Sequence, residues 1–197
     1  MILFLSFLVV FLDLLFLCSQ EPWLRMIPCL LFFVFTAFYY KTLPWEYGFQ
    51  VKIQPSISYW TIAFVVIGSI MLSFCLICLG IFKIFHIPIP HYTLFRNDLE
   101  FRNWILFACF ISPLVEETIY RSVLCSALEK TAGTKTSILI SGILFALLHF
   151  FYGNLAFDNF IAGYLLAWSF LKSKSILIPI FLHALGNAFV GLLYCII

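Results

Sequence analysis

The chain has 197 residues, of which 64% are hydrophobic and only 10% charged, with a net charge of +2 and a mean hydropathy of +1.10. Soluble domains carry about 25% charged residues, so this composition describes an integral membrane protein whose outer faces meet the lipid bilayer. The small positive charge, with no basic run and no zinc-finger spacing, argues against a nucleic-acid partner.

A spanning helix needs roughly 20 mostly apolar residues, and about seven such stretches follow one another along the chain. The first, near 1–18, lacks a basic leader and a small-residue cleavage site, and reads as a retained span. A polar connection from Ser19 to Arg25 leads to the second, near 26–41. The third, near 58–84, contains Cys75 and Cys78, whose apolar surroundings SFCLICLG make them packing residues rather than a redox pair. The seven cysteines are an odd number, which argues against a complete disulfide framework. The remaining spans lie near 102–128, 135–151, 155–171 and 175–196. Their connections are His86–Phe101, Glu129–Thr134, Tyr152–Asn154 and Lys172–Ser175. Trp23, Trp45, Trp60 and Trp104 fall at span ends, where interfacial anchors belong.

The expected fold is therefore all-α, a polytopic transmembrane bundle forming a single integrated domain. Residues 1–100 supply a scaffold of about three spans, and residues 101–197 a helical core around a buried polar site. A slight excess of lysines in the connections after even-numbered spans favours an inside N-terminus, and the expected location is the plasma (inner) membrane.

Few ionisable groups lie within the spans: Asp13, Glu116, Glu117, Arg121, His149, Asp158 and His183, joined by the amide of Asn187. Each charge at mid-membrane depth costs at least about 2.5–3.5 kcal/mol. Asp13 and Asp158 read as interfacial or packing groups. Adjacent helical residues point about 100° apart, so Glu116 and Glu117 cannot serve one centre equally. Glu117 and Arg121 are spaced i,i+4 with the acid first, the favoured order for an ion pair. Glu117 is thus the orienting partner, and Glu116 the reactive carboxylate. His183 and Asn187 share a face of the last span at the same spacing.

Depth supports one site. At about 1.5 Å per residue, Glu116 lies roughly 21 Å from Lys130 and His149 roughly 21 Å from Lys135. On the same scale His183 and Asn187 lie roughly 14 and 20 Å from Lys174. If these lysines mark one membrane surface, three helices bring polar groups to nearly one level. Isolated, each histidine or amide could simply hydrogen-bond a neighbouring helix. Together they suit hydrolysis: a carboxylate and an imidazole activate water, and a second imidazole with an amide stabilises an oxyanion. Glu116 must be ionised for this, which calls for a nearby cation such as Arg121 or a protonated histidine. No serine or cysteine is expected as a nucleophile.

EETIYR at Glu116–Arg121, FALLH at Phe145–His149 and HALGN at His183–Asn187 fit an EExxxR, FxxxH, HxxxN series. The series resembles the CAAX-protease and bacteriocin-processing (CPBP) family of intramembrane endopeptidases, which includes the type II CAAX prenyl proteases. The resemblance covers roughly residues 100–190, including the Gly163 helix and Pro179. It implies that Glu116 and His149 activate water and that His183 and Asn187 form the oxyanion hole. Glu117 and Arg121 would support the site.

The implied substrate is a membrane-associated peptide, either a lipidated CaaX-type protein or a leader peptide. A carboxylate with two histidines is also an acceptable zinc set. However, HExxH is absent, and the metal-free mechanism, with no cofactor, is the favoured expectation over zinc. Other function classes are bacteriocin self-immunity with little or no catalysis, and an ion pathway. The latter would stage its carboxylates at several depths rather than one.

Overall fold

The computed structural model describes residues 1–17, 22–49, 52–86, 98–151 and 158–196, and every extended element within them is helical. The connections expected at 87–97 and 152–154 lie outside the described residues, as do the side chains of Trp23, Trp45, Cys75, Cys78 and Asp158. Helix α1 spans Ile2–Leu17, α2 Pro22–Tyr39 and α3 Ile57–Ile84. A continuous helical rod, α4, covers 98–132. Helices α5, Thr134–Phe151, α6, Asp158–Ser173, and α7, Leu177–Ile196, follow. The helices match the expected spans to within a few residues, because each is one long apolar run between polar breaks.

Local chemistry explains the boundaries. Pro22 opens α2, where its missing N–H and fixed φ cost nothing. Ser56 caps α3 by accepting the Tyr59 amide at 3.2 Å. Gly133, at φ 83°, ends α4 in a conformation that disfavours side chains.

The rod α4 is not a uniform α-helix. It widens into π-helix at Phe107–Ile111 and again at Thr118–Cys125, on either side of the α-helical Ser112–Glu117. Pro113 supplies a cause for the first widening: it has no N–H to give the preceding turn. The Ser112 amide accordingly reaches back to the Phe107 carbonyl. In the second segment, hydroxyls from neighbouring elements take over backbone hydrogen bonding. Ser141 Oγ donates to the Tyr120 carbonyl at 2.7 Å and Ser137 Oγ to the Cys125 carbonyl at 2.7 Å. In lipid no water is at hand to satisfy such groups, so protein must.

Large apolar side chains are exposed on every helix, among them Phe4, Leu31, Ile62, Phe110, Leu147, Ile161 and Leu185. Exposed apolar side chains in this number suit contact with lipid. Among the described residues, Thr134–Phe151 is long and apolar enough to cross a bilayer, while Ile2–Leu17, Leu24–Tyr39, Ile57–Ser73 and Leu177–Gly191 are apolar over shorter lengths. Trp60 departs from its expected interfacial role: it is buried, donates to the Gln54 carbonyl at 2.7 Å, and packs edge-on against Trp168. At one end Lys174 pairs with Glu129 at 3.0 Å, which puts the connections after α4 and α6 at the same level.

Helices α5 and α6 make the closest approach, backbone to backbone at Gly142 and Gly163. A Cβ on Gly163 would stand 2.5 Å from the Gly142 carbonyl oxygen, whereas one on Gly186 would meet nothing within 4 Å. Small residues permit this packing where no hydrophobic effect drives helices together. Gly163→Val should therefore cost about 1–3 kcal/mol by overpacking, read as a lower melting temperature in detergent. Gly186→Ala should leave that temperature unchanged.

Candidate active site

Glu116 and Glu117 lie in the α-helical turn between the two π segments, and both are buried. Their side chains diverge as the helical angle requires. Glu117 Oε2 pairs with Arg121 Nε at 2.9 Å, and both side chains are fully buried. The guanidinium also donates to Ser141 Oγ at 3.2 Å and lies 4.6 Å from the Phe145 ring centroid. Phe145, the fixed first position of FxxxH, thus has a place of its own in the site. Its ring packs against Tyr120, His149 and His183 as well as Arg121.

His183 joins the two glutamates. Its Nδ1 is 2.9 Å from Glu117 Oε1, and its Nε2 is 3.9 Å from Glu116 Oε2. The first contact requires Nδ1–H as donor to a carboxylate, which fixes the tautomer of the neutral ring and leaves its lone pair on Nε2. The second is too long for a hydrogen bond but short enough for one water or substrate oxygen to touch both groups.

Ser112 Oγ donates to Glu116 Oε1 at 2.6 Å, so a serine does stand beside the carboxylate, contrary to the sequence-based expectation. The same oxygen faces Arg25 Nη1 at 3.7 Å. Arg25 sits not in a connection but in α2, where it is buried. It grips Asp13 of α1 through Nε at 2.6 Å and Nη2 at 3.2 Å. Tyr120 donates its hydroxyl to the same aspartate at 3.3 Å. The cation nearest Glu116 is therefore Arg25, while Arg121 is committed to Glu117.

His149 is half-buried, and its Nδ1 lies 3.0 Å from the Phe145 carbonyl, which can only accept. The neutral ring therefore keeps its lone pair on Nε2. With Arg25 and His183, it is one of the groups gathered around Glu116. Asn187 stands slightly apart. Its Nδ2 donates to the Ala108 carbonyl at 2.6 Å, in the first π segment, and the amide has a second N–H to offer.

Three carboxylates (Asp13, Glu116 and Glu117) thus face two guanidiniums in one buried cluster. One unit of negative charge stays unbalanced until a histidine or a glutamate takes up a proton. Such a cluster can move a proton between an acid and a bound water. The Arg25 cation stands 3.7 Å from Glu116, and among the described residues no three His, Cys, Asp or Glu side chains form a metal-holding group.

Comparison with known proteins agrees with the motifs. Residues 99–189 match the family described as type II CAAX prenyl endopeptidase Rce1-like. A Bacillus subtilis (strain 168) protein named "Putative membrane peptidase YdiL" is 29% identical over 86 residues, 44% of this chain and 35% of that protein. The chain therefore spans about a third of the length of the curated relative it matches. No solved structure matches it. The segment that carries all three motifs, residues 99–189, is thus the part of the chain that resembles the Rce1-like type II CAAX prenyl endopeptidase family.

Proposed function

We propose that this membrane protein is an intramembrane endopeptidase that cleaves a membrane-associated peptide with activated water. The observation that carries the reading is the buried placement of Glu116, with His183 Nε2 at 3.9 Å and an arginine guanidinium at 3.7 Å. In the proposed cycle Glu116, assisted by His149, takes a proton from water as hydroxide attacks the scissile carbonyl. His183 and the second N–H of Asn187 donate to the oxyanion. With Nδ1–H given to Glu117, His183 can donate through Nε2 only as the imidazolium. That proton is also what balances the charge of the cluster. Collapse of the intermediate breaks the C–N bond as Glu116 returns its proton to the departing amine.

Glu117, Arg121 and Phe145 hold His183 in place. We assign no cofactor to this reaction, since the donor set suits ion pairing rather than metal binding. The substrate is a lipidated CaaX-type protein, a class that the Rce1-like match supports, or a leader peptide in the plasma membrane. Protection against a bacteriocin could be a consequence of the same proteolysis.

A second reading follows from Ser112, whose hydroxyl could attack the carbonyl directly with Glu116 as base. One experiment separates the readings. Purified protein in lipid vesicles is incubated with a farnesylated peptide ending in a CaaX box and, in parallel, with an unlipidated leader peptide. The water mechanism predicts cleavage that persists after exhaustive chelation and falls less than about 10-fold in Ser112→Ala, since removing one supporting hydrogen bond costs roughly 1 kcal/mol. Complete loss in Ser112→Ala, with the fold intact, would establish an acyl-enzyme. Loss on chelation with recovery on adding zinc would overturn the metal-free reading.

A further inference from the structure

We propose that Arg25 is a positioning residue of the active site, held by Asp13 and Tyr120 so that its guanidinium sets the charge and orientation of Glu116. This inference rests on the endopeptidase reading and extends it into α1 and α2, outside the Rce1-like match at 99–189.

The geometry is that of a built support rather than a chance contact. Arg25 is 3% exposed and Asp13 is wholly buried. The aspartate takes two contacts from the guanidinium, through Nε and Nη2, and a third from the Tyr120 hydroxyl. A bidentate grip fixes the plane of the guanidinium, leaving Nη1 directed at Glu116 Oε1, 3.7 Å away. Ser112 holds the same oxygen at 2.6 Å. Glu116 Oε1 is therefore the supported oxygen, and Oε2 is the one that faces His183. A base needs this division: one oxygen oriented and charge-compensated, the other presented to the reacting water. Arg121 cannot supply the compensation, because Glu117 and Ser141 occupy it. Asp13 in turn keeps Arg25 from closing fully onto Glu116 and neutralising the base.

The groups facing Glu116 come from every element packed around it. They are Arg25 of α2 with Asp13 of α1 behind it, Ser112, Glu117 and Tyr120 of α4, His149 of α5 and His183 of α7. Removing the one permanent cation nearest the carboxylate makes ionisation harder, so the acid limb of the activity profile should move to higher pH.

The test compares wild type, Arg25→Gln, Arg25→Lys, the double variant Asp13→Asn/Arg25→Gln and Glu116→Gln. All are purified in lipid vesicles and assayed for kcat and KM with the peptide that wild type cleaves. Arg25→Gln should lower kcat at least 10-fold with KM little changed and shift the acid limb upward. Arg25→Lys should recover part of the rate and restore the limb. The double variant, in which two hydrogen-bonding amides replace the buried ion pair, should fold even if the single variant does not. It should show a kcat loss and shift in the same direction but smaller, since the repelling charge of Asp13 is removed as well.

Wild-type kcat and an unmoved profile in the folded double variant, while Glu116→Gln is inactive, would overturn the role of Arg25 alone. Activity in Glu116→Gln would instead overturn the underlying reading of the site.

Discussion

Glu116→Gln is expected to lower cleavage by about 10²–10⁴-fold, the usual contribution of a general base, while the protein stays folded and inserted. The substitution keeps the shape of the side chain and removes only its charge and basicity. Ser112 can still donate to the amide oxygen, and Arg25 remains compensated by its two contacts with Asp13. No buried cation is therefore orphaned. His149→Ala should lose cleavage comparably, since it removes the assisting imidazole and leaves the Phe145 ring, the carboxylates and both arginines in place. The check is single-turnover cleavage by protein that elutes as wild type does on gel filtration in detergent. Wild-type rates from either purified variant would defeat the assignment.

The helices were legible because lipid imposes a simple rule: long apolar runs become helices, and polar stretches become breaks. The same scarcity of polar groups made Glu116, Glu117, Arg121, His149, His183 and Asn187 stand out. The pairing of Glu117 with Arg121 follows from i,i+4 spacing and holds even though the turn between them opens into π-helix. That widening was not legible from periodicity, although Pro113 signals the first π segment by withholding an N–H.

Arg25 was missed because the stretch SQEPWLR reads as a polar connection. Pro22 can begin a helix as readily as it interrupts one, and Asp13, which buries Arg25, lies in the preceding helix. A signal was nevertheless present. Four acids lay within the proposed spans, Asp13, Glu116, Glu117 and Asp158, against one arginine. Buried charges seek partners, and Arg25 was the nearest candidate. Asn187 shows the opposite limit. Its spacing from His183 is a helical fact, but its bond to the Ala108 carbonyl depends on how α7 crosses the first π segment. Only tertiary packing determines that.

Fold and site thus depend on the same groups. Tyr120 touches Asp13 with its hydroxyl and Phe145 with its ring, and its carbonyl accepts from Ser141. One residue of EETIYR, counted as a spacer in the motif, therefore ties α1, α4 and α5 together around the carboxylates.

The largest stability effect should come from Arg121→Met. The side chain is wholly buried and serves four neighbours: Glu117, Ser141, the Phe145 ring and, through Glu117, His183. Methionine approximates its volume but removes the charge, leaving Glu117 with a histidine as its remaining counter-group. Breaking a buried ion pair by removing one partner costs about 3–5 kcal/mol, whereas replacing both partners with neutral groups costs far less. Arg121→Met should therefore lower the melting temperature sharply, and Arg121→Met/Glu117→Gln should recover most of it. Recovery of the fold should not restore cleavage, because a neutral amide in place of the Glu117 carboxylate no longer supports an imidazolium at His183. Arg121→Lys should fall between the two, since a lysine keeps the charge but cannot meet Glu117, Ser141 and the Phe145 ring together as the guanidinium does. Thermal unfolding in detergent and cleavage in vesicles, measured on the same preparations, separate the two effects. A single variant as stable as wild type would show that Glu117 does not depend on Arg121 for its buried charge. A double variant with wild-type cleavage would show that His183 does not act as a charged donor.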